Sequence, residues 1–176
     1  MQKQAPALVG LVVACVCLLG GCSSNEGNAA VCREIPERYV NLSGCDLTNA
    51  NLTGATLTNA NLTKANLTDA DLTGVMLNYA NLNEANLTNA NLTGALLNGS
   101  DLSDAKLNEA NLTDVPMNDS NLTNADLKGA NLTKVSLTNA NLEGANLTGA
   151  NLTGVQWLYT VCPDGVRQNE ECPRTP

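Results

Sequence analysis

The sequence predicts an all-β fold, a square-sided coil of about six turns in which each side is one five-residue unit. Three observations predict it. An apolar residue recurs every five positions from Leu42 to Leu152, with Met117 the one replacement for Leu, so that 23 units cover Val40 to Gly154 without an insertion. Neither a helix nor a flat strand has a period of five. A second period, of twenty, lies in the exceptions: the polar position before each centre is broken at Thr56, Met76, Leu96, Pro116, Ser136 and Gln156, with Lys106 the single outlier. Val75, Val115, Val135 and Val155 fall in the same column, with Val40 alone outside it. Four units therefore close one turn, and residues twenty apart stack on one another with backbone groups pairing between turns. Composition agrees, because a chain with no Phe, one Trp and three Tyr must build its core from Ala and Leu, which pack densely only in a narrow, repeated column. With strands ~4.8 Å apart, 23 units make a column some 28 Å tall.

The elements follow in chain order. Residues 1–21 read as a leader: Lys3 precedes an apolar run from Ala7 to Leu19 that is short for a bilayer-spanning helix and typical of a secretory signal. It ends in "LLGGC", which resembles the lipobox of bacterial lipoproteins, with Leu19, Gly20, Gly21 and Cys22 in the matching places. The resemblance implies that the Cys22 thiol is acylated, that signal peptidase II cuts before it, and that Cys22 becomes a lipidated first residue; an uncleaved anchor is the alternative. Residues 22–31, with "SSNEGN", form a flexible linker. Residues 32–39 are the N-terminal cap, with Ile35, Pro36 and Tyr39 as its lid. The repeat occupies 40–154, and 155–176 form a C-terminal, disulfide-bearing cap in which Trp157 takes the central register and, with Leu158 and Tyr159, is expected to close the column.

Cysteine usage fits export. With Cys15 and Cys17 in the leader and Cys22 lipidated, Cys32, Cys45, Cys162 and Cys172 remain. Four cysteines allow three pairings; the one that joins near neighbours is Cys32 with Cys45 and Cys162 with Cys172, one bridge at each end of the repeat in an oxidising compartment. A zinc clip does not fit, because there is no His and the spacings are wrong.

Stretches such as "ANLTGATLTNANLTKANLTDADLTG", Ala50 to Gly74, spell the motif A(N/D)LXX almost undiluted, and here the chain resembles the pentapeptide repeat family. The resemblance implies a right-handed quadrilateral β-helix, with the central Leu and the preceding small residue inside and tight turns at the corners. It also covers the tail "TVCPDGVRQNEEC", which is similar to the Cys-bearing segment that follows the repeats in bacterial members. One departure is Pro116, which has no amide proton to donate, so a rung beside it should be missing or bent.

Fold does not choose function, so the surface chemistry must. Without His there is no obvious base, and Ser100, Ser120 and Ser136 sit at repeat positions without a catalytic partner, so the chain is expected to be no enzyme and to carry no cofactor and no metal. The many Asn-Leu-Thr triplets are a by-product of the repeat rather than glycosylation sites. From Cys22 onward eight Lys plus Arg face seventeen Asp plus Glu, a balance that argues against nucleic acid as a ligand. Glu84, Asp101, Asp104, Glu109, Asp114, Asp119 and Asp126 gather in the middle turns against Lys106 alone. That belt resembles the acidic sides of family members that mimic DNA, bind gyrase and confer quinolone resistance; those act in the cytoplasm, whereas this chain carries an export signal. A cation between Glu84, Asp101 and Asp104 competes with plain solvated charge, which is the preferred reading.

Two further surfaces stand out. Thr53, Thr73, Thr93, Thr113, Thr133 and Thr153 form a column, similar to ice-binding arrays and suited to a repetitive glycan, although Thr is also simply a good strand residue. Met76, Leu96 and Pro116, with Tyr79, form the most apolar outward stripe, a candidate interface for a partner or for a second copy in a homodimer. The expected function is a lipid-anchored module of the bacterial cell envelope, on the periplasmic side or the cell surface, that binds or supports without catalysis. Its partner is a protein or a glycan, and its membrane contact is the lipid. An inhibitor of gyrase or topoisomerase is the alternative, and a Thr-ladder ice- or glycan-binding surface the second.

Overall fold

The computed structural model describes residues 40–172, so Cys22, Cys32, the linker and the N-terminal cap lie outside the described residues. The chain winds as a quadrilateral β-helix. Isolated parallel bridges join residues twenty apart, and one column runs unbroken from Asn41 through Asn61, Asn81, Asp101, Asn121 and Asn141 to Val161, six turns in all. We name the sides A to D by their central residues: Leu42 on side A, Leu47 on B, Leu52 on C and Leu57 on D, each repeating every twenty.

Following the five amide protons of one unit explains the motif. In the unit centred on Leu62, Asn61 donates to the Val40 carbonyl below, while Leu62 and Lys64 donate to Asn81 and Asn83 above, at 2.7 to 2.9 Å. Ala65 closes the corner by donating to the Leu62 carbonyl at 3.0 Å. Only the amide of Thr63 has no backbone acceptor, and the side chain of Asn61 supplies one at 3.1 Å. An unsatisfied amide at this depth costs about 1–3 kcal/mol, which is the physical reason for Asn or Asp before nearly every Leu. The Thr hydroxyl donates to the same Asn oxygen, as Thr113 does to Asn111 at 2.7 Å. Its lone pair then accepts from the Asn of the next turn, as Asn131 donates to Thr113 at 2.9 Å. Asn and Thr thus lace the turns together outside while Leu and Ala fill the column inside.

The fifth position sets the corner. Lys64, Glu84 and Asp104 have φ near +60°, with Gly44 and Gly144 at the ends of the same column, so each corner is a type II turn with a left-handed residue at its third position. Inward, Leu and the small residue two before it are buried at every level between the terminal coils, Val75, Val115 and Val135 included. Ser100 and Ser120 take the small position while buried, and each hydroxyl donates to the carbonyl of its own corner, Leu97 and Met117, at 2.7 and 2.6 Å. Replacing Asn111 with Ala strands the Thr113 amide and removes the bonds to both Thr113 and Thr93; a loss of about 1–3 kcal/mol is expected, read as a lower urea midpoint at unchanged slope.

Pro116 interrupts its rung. The bridges run from Met76 to Leu96 and from Pro116 to Ser136, with none between Leu96 and Pro116. The Ala95 carbonyl receives no backbone amide there, while Leu97 still donates to Pro116 at 3.0 Å and the next bond, Ser136 to Val115, stretches to 3.2 Å. One bond is lost and the column stays intact.

The coil runs past Gly154. Gln156 bridges Ser136, Val161 bridges Asn141, and Cys162 is buried in the central register above Leu142. There β1 (Thr160–Val161) meets β2 (Arg167–Gln168) as an antiparallel hairpin, and a disulfide ties Cys162 to Cys172 across a Cα separation of 5.3 Å. Trp157 is buried at the end of side D. Leu158 and Tyr159 do not close the column with it: they are 47% and 52% exposed. They occupy the two turn positions of their unit, which point outward at every corner, and the Tyr159 φ of 55° matches the corners below it. At the other end Cys45 is buried in a small-residue position and disulfide-bonded; its expected partner, Cys32, is outside the described residues.

Candidate functional site

The outward polar and charged side chains of the described residues lie on the sides and corners of the coil, and these are the candidate sites. Among the described residues no group of His, Cys, Asp and Glu assembles as a metal site. Glu84 pairs instead with Lys64 across one turn at 3.5 Å, and Asp104 accepts from Asn124 at 3.3 Å. Asp101 accepts the Ser103 amide and hydroxyl as the motif requires.

The acidic belt is a girdle rather than a strip. Glu84 and Asp104 lie at the corner after side A, Glu109 after B, Asp114 after C and Asp119 after D, because the chain visits one corner every five residues. Acids adjacent in sequence are thereby spread around the column.

Side C carries the Thr column. Thr73, Thr93, Thr113, Thr133 and Thr153 each donate to the Asn or Asp two residues before them at 2.6 to 2.7 Å. The hydroxyls of Thr73, Thr93, Thr113 and Thr133 also accept from the Asn one turn on. Their only proton is spent inside the lacing, so the array presents methyls and shared lone pairs rather than free donors. Asp71 replaces Asn in this column. Its carboxyl lies below the ordinary carboxylate value chiefly because of the Thr73 hydroxyl, then the Thr73 amide, with the Thr53 hydroxyl adding and burial opposing. A depressed carboxylate stabilises the fold above its unfolded-state pKa, roughly 4, and that contribution is lost as pH falls through the lower folded value. Asp71→Asn is therefore expected to flatten this part of the stability-versus-pH curve below about pH 4, with little change at pH 7. Urea midpoints of both proteins from pH 2 to 7 check it, and parallel curves would refute it.

Side D holds the irregular column. Met76 is 36% exposed, Leu96 and Pro116 are half-buried, and Tyr79 stands at the corner with 66% of its surface open. Without Asn before the centre, this side laces itself differently. Asn98 donates its amide and its side chain to the Asn78 oxygen at 3.1 Å, and Asn118 repeats this onto Asn98 at 3.1 and 2.9 Å. Ser136 ends the ladder by donating to Asn118 at 2.6 Å. Sequence reasoning missed Asn78, Asn98 and Asn118, although the period of twenty in the position after Leu would have found them. It also missed that Tyr159, eighty residues beyond Tyr79, shares its corner.

Five-residue sides, left-handed corners and a Leu-Ala column define a solenoid of pentapeptide units. The family model for pentapeptide repeats matches residues 41–78, 77–114 and 117–155, in 8 copies. The chain belongs to the pentapeptide repeat family, and its fold is that family's right-handed quadrilateral β-helix. Among solved structures it is similar to HetL, a pentapeptide repeat protein involved in heterocyst differentiation regulation from the cyanobacterium Nostoc sp. strain PCC 7120, at 32% identity over 73% of this chain and 76% of that one, with a TM-score of 0.39. Rfr23 from the cyanobacterium Cyanothece 51142 is 31% identical over 65% of this chain and 85% of that one, with a TM-score of 0.35. QnrB1, a plasmid-mediated fluoroquinolone resistance protein, is 19% identical over 68% of this chain and 63% of that one, with a TM-score of 0.55, a likeness of fold. No curated protein matches the sequence.

Proposed function

We propose that this chain is a lipid-anchored module of the bacterial envelope that binds or supports without catalysis. Cys22 carries the lipid, residues 22–31 are the tether, and the coil with its disulfide-bearing caps is the exposed rod. The observation that carries the reading is the bridge between Cys162 and Cys172 at the end of the column, joined by a second bonded cysteine, Cys45, near its start. Disulfides placed to close both ends belong to an oxidising compartment, which agrees with the leader and its "LLGGC" ending. A binding role without catalysis fits a surface whose hydroxyls and amides are engaged in lacing the turns.

A gyrase-directed DNA mimic is the competing reading, since the QnrB1 fold is shared. The girdle weighs against it: duplex DNA carries its phosphates in continuous strands along its length, whereas here the acids are spread over all four corners of the middle turns and Glu84 is already paired with Lys64. Fractionation of cells expressing the wild type and Cys22→Ser, with the intact mass of the wild type, tests the proposal. A membrane-bound species that lacks residues 1–21 and carries acyl chains is expected. Unprocessed soluble protein in the cytoplasm would overturn the anchor and make a supercoiling assay the next step.

A further inference from the structure

We infer that the corner bearing Tyr79 and Tyr159, together with the Asn78, Asn98 and Asn118 ladder beside it, is a binding ridge for an extended, uncharged glycan. The inference deepens the binding role proposed above and rests on it, but it does not depend on the lipid anchor. Its first support is the placement of the aromatics. Every fifth residue from Gly44 to Tyr159 has a positive φ, and nearly all are Gly, Asn, Asp, Glu or Lys. The two tyrosines are the exceptions, and both fall in one corner column, four turns and so ~19 Å apart. The left-handed region disfavours an aromatic, and Asn59 and Asn139 hold the same corner without one, so the fold itself does not call for Tyr there.

The rings are displayed rather than packed away. Tyr79 and Tyr159 are 66% and 52% exposed. Tyr79 leans over Gly99 so closely that a Cβ on that glycine would meet Cδ1 and Cε1 at 2.6 Å. The missing side chain at Gly99 is what makes room for the ring. Between the rings Asn139 donates to Asp119 at 3.1 Å, and alongside them runs the amide ladder.

The ligand class follows by elimination. In the middle coils the backbone donors and acceptors of side D pair between turns, so a peptide cannot add as a strand, the bond missing at Pro116 aside. Three extended residues across and six turns high, the side measures about 10 by 28 Å, well under the ~800 Å² per partner of a stable protein interface. Neither side D nor its corner carries a Lys or Arg between residues 56 and 159, so a polyanion has nothing to pair with. Two exposed aromatic surfaces remain, beside a ladder in which Asn98 and Asn118 each spend one of their two side-chain protons on the turn below and keep the other, and a carboxylate. That combination suits pyranose rings, whose apolar faces stack on aromatics while their hydroxyls meet amide and carboxylate groups.

The purified full-length chain is titrated by calorimetry with cellohexaose and with chitohexaose, two neutral β-linked probes. Saturable binding of at least one is expected, weakened roughly tenfold or more in Tyr79→Asn and in Tyr159→Asn. Asn accepts a positive φ more readily than Tyr, so the thermal midpoint of Tyr79→Asn should equal or exceed that of the wild type, which separates loss of binding from loss of fold. No binding of either sugar, or binding unchanged in both variants, overturns the ridge. A dimer that Met76→Asp dissociates, with no sugar bound, gives side D to a second copy and overturns it as well. None of these results bears on the anchor, which fractionation decides separately.

Discussion

Replacing Leu107 with Ala is expected to lower the unfolding free energy by about 3–4 kcal/mol, well inside the range for buried leucines. Leu107 is fully buried on side B, with Leu87 one turn below, Leu127 one turn above and Ala105 and Ala110 flanking it. Every layer between the terminal coils holds four such Leu or Met side chains on a backbone pinned to both neighbouring turns, so the walls cannot collapse into the cavity. Repeat solenoids couple mainly to nearest neighbours, so the loss also shows in hydrogen exchange. Protection should drop most for the Leu87, Leu107 and Leu127 amides and least at the ends. A urea midpoint within error of the wild type would mean that the column tolerates a gap and that its stability lies in the external lacing.

Cutting the bridge with Cys172→Ser is the second large effect. Closing a loop of about ten residues constrains the unfolded chain by roughly 2–3 kcal/mol. Its consequence should be local. Beyond Cys162 the tail is held by the two-residue pairing of β1 with β2, by the Val166 carbonyl accepting from Cys162 at 2.9 Å, by the Pro163 carbonyl accepting from Gly144 at 3.0 Å, and by the Asn169 side chain accepting the Tyr159 amide at 2.7 Å. Such a segment should detach once the tether is gone, exposing the upper edge of the last coil. Exchange at the Cys162 and Tyr159 amides is then expected to accelerate far more than at Leu102 or Leu107. A uniform fall in protection along the column would show that the cap and the coil unfold as one unit.

Much of this was legible in the chain because the repeat has no insertions. The period of five placed every Leu inward and the period of twenty assigned the sides, so Met76, Leu96 and Pro116 came to one column and the rung at Pro116 was expected to fail. What was not legible depends on which backbone groups meet. Nothing local to Asn78, Asn98 or Asn118 says that they replace the missing Asn before the centre; that follows from side D leaving its own amides unserved. Leu158 and Tyr159 look like lid residues by composition, yet the corner turns them outward. Cys162 reads as tail, yet it stacks on Leu142 as one more central residue.

The sequence by itself determined the side and the depth of each residue within the repeat, because a fixed period maps position directly onto direction when no unit is lost or gained. Tertiary structure decided what each surface group is free to do. The Thr hydroxyls are consumed in the lacing, the acids are spread over all four corners, and Tyr79 and Tyr159 are brought onto a single edge. The physical reason is that hydrogen bonds and exposure belong to groups twenty, forty or eighty residues apart, and only the closed turn makes those groups neighbours.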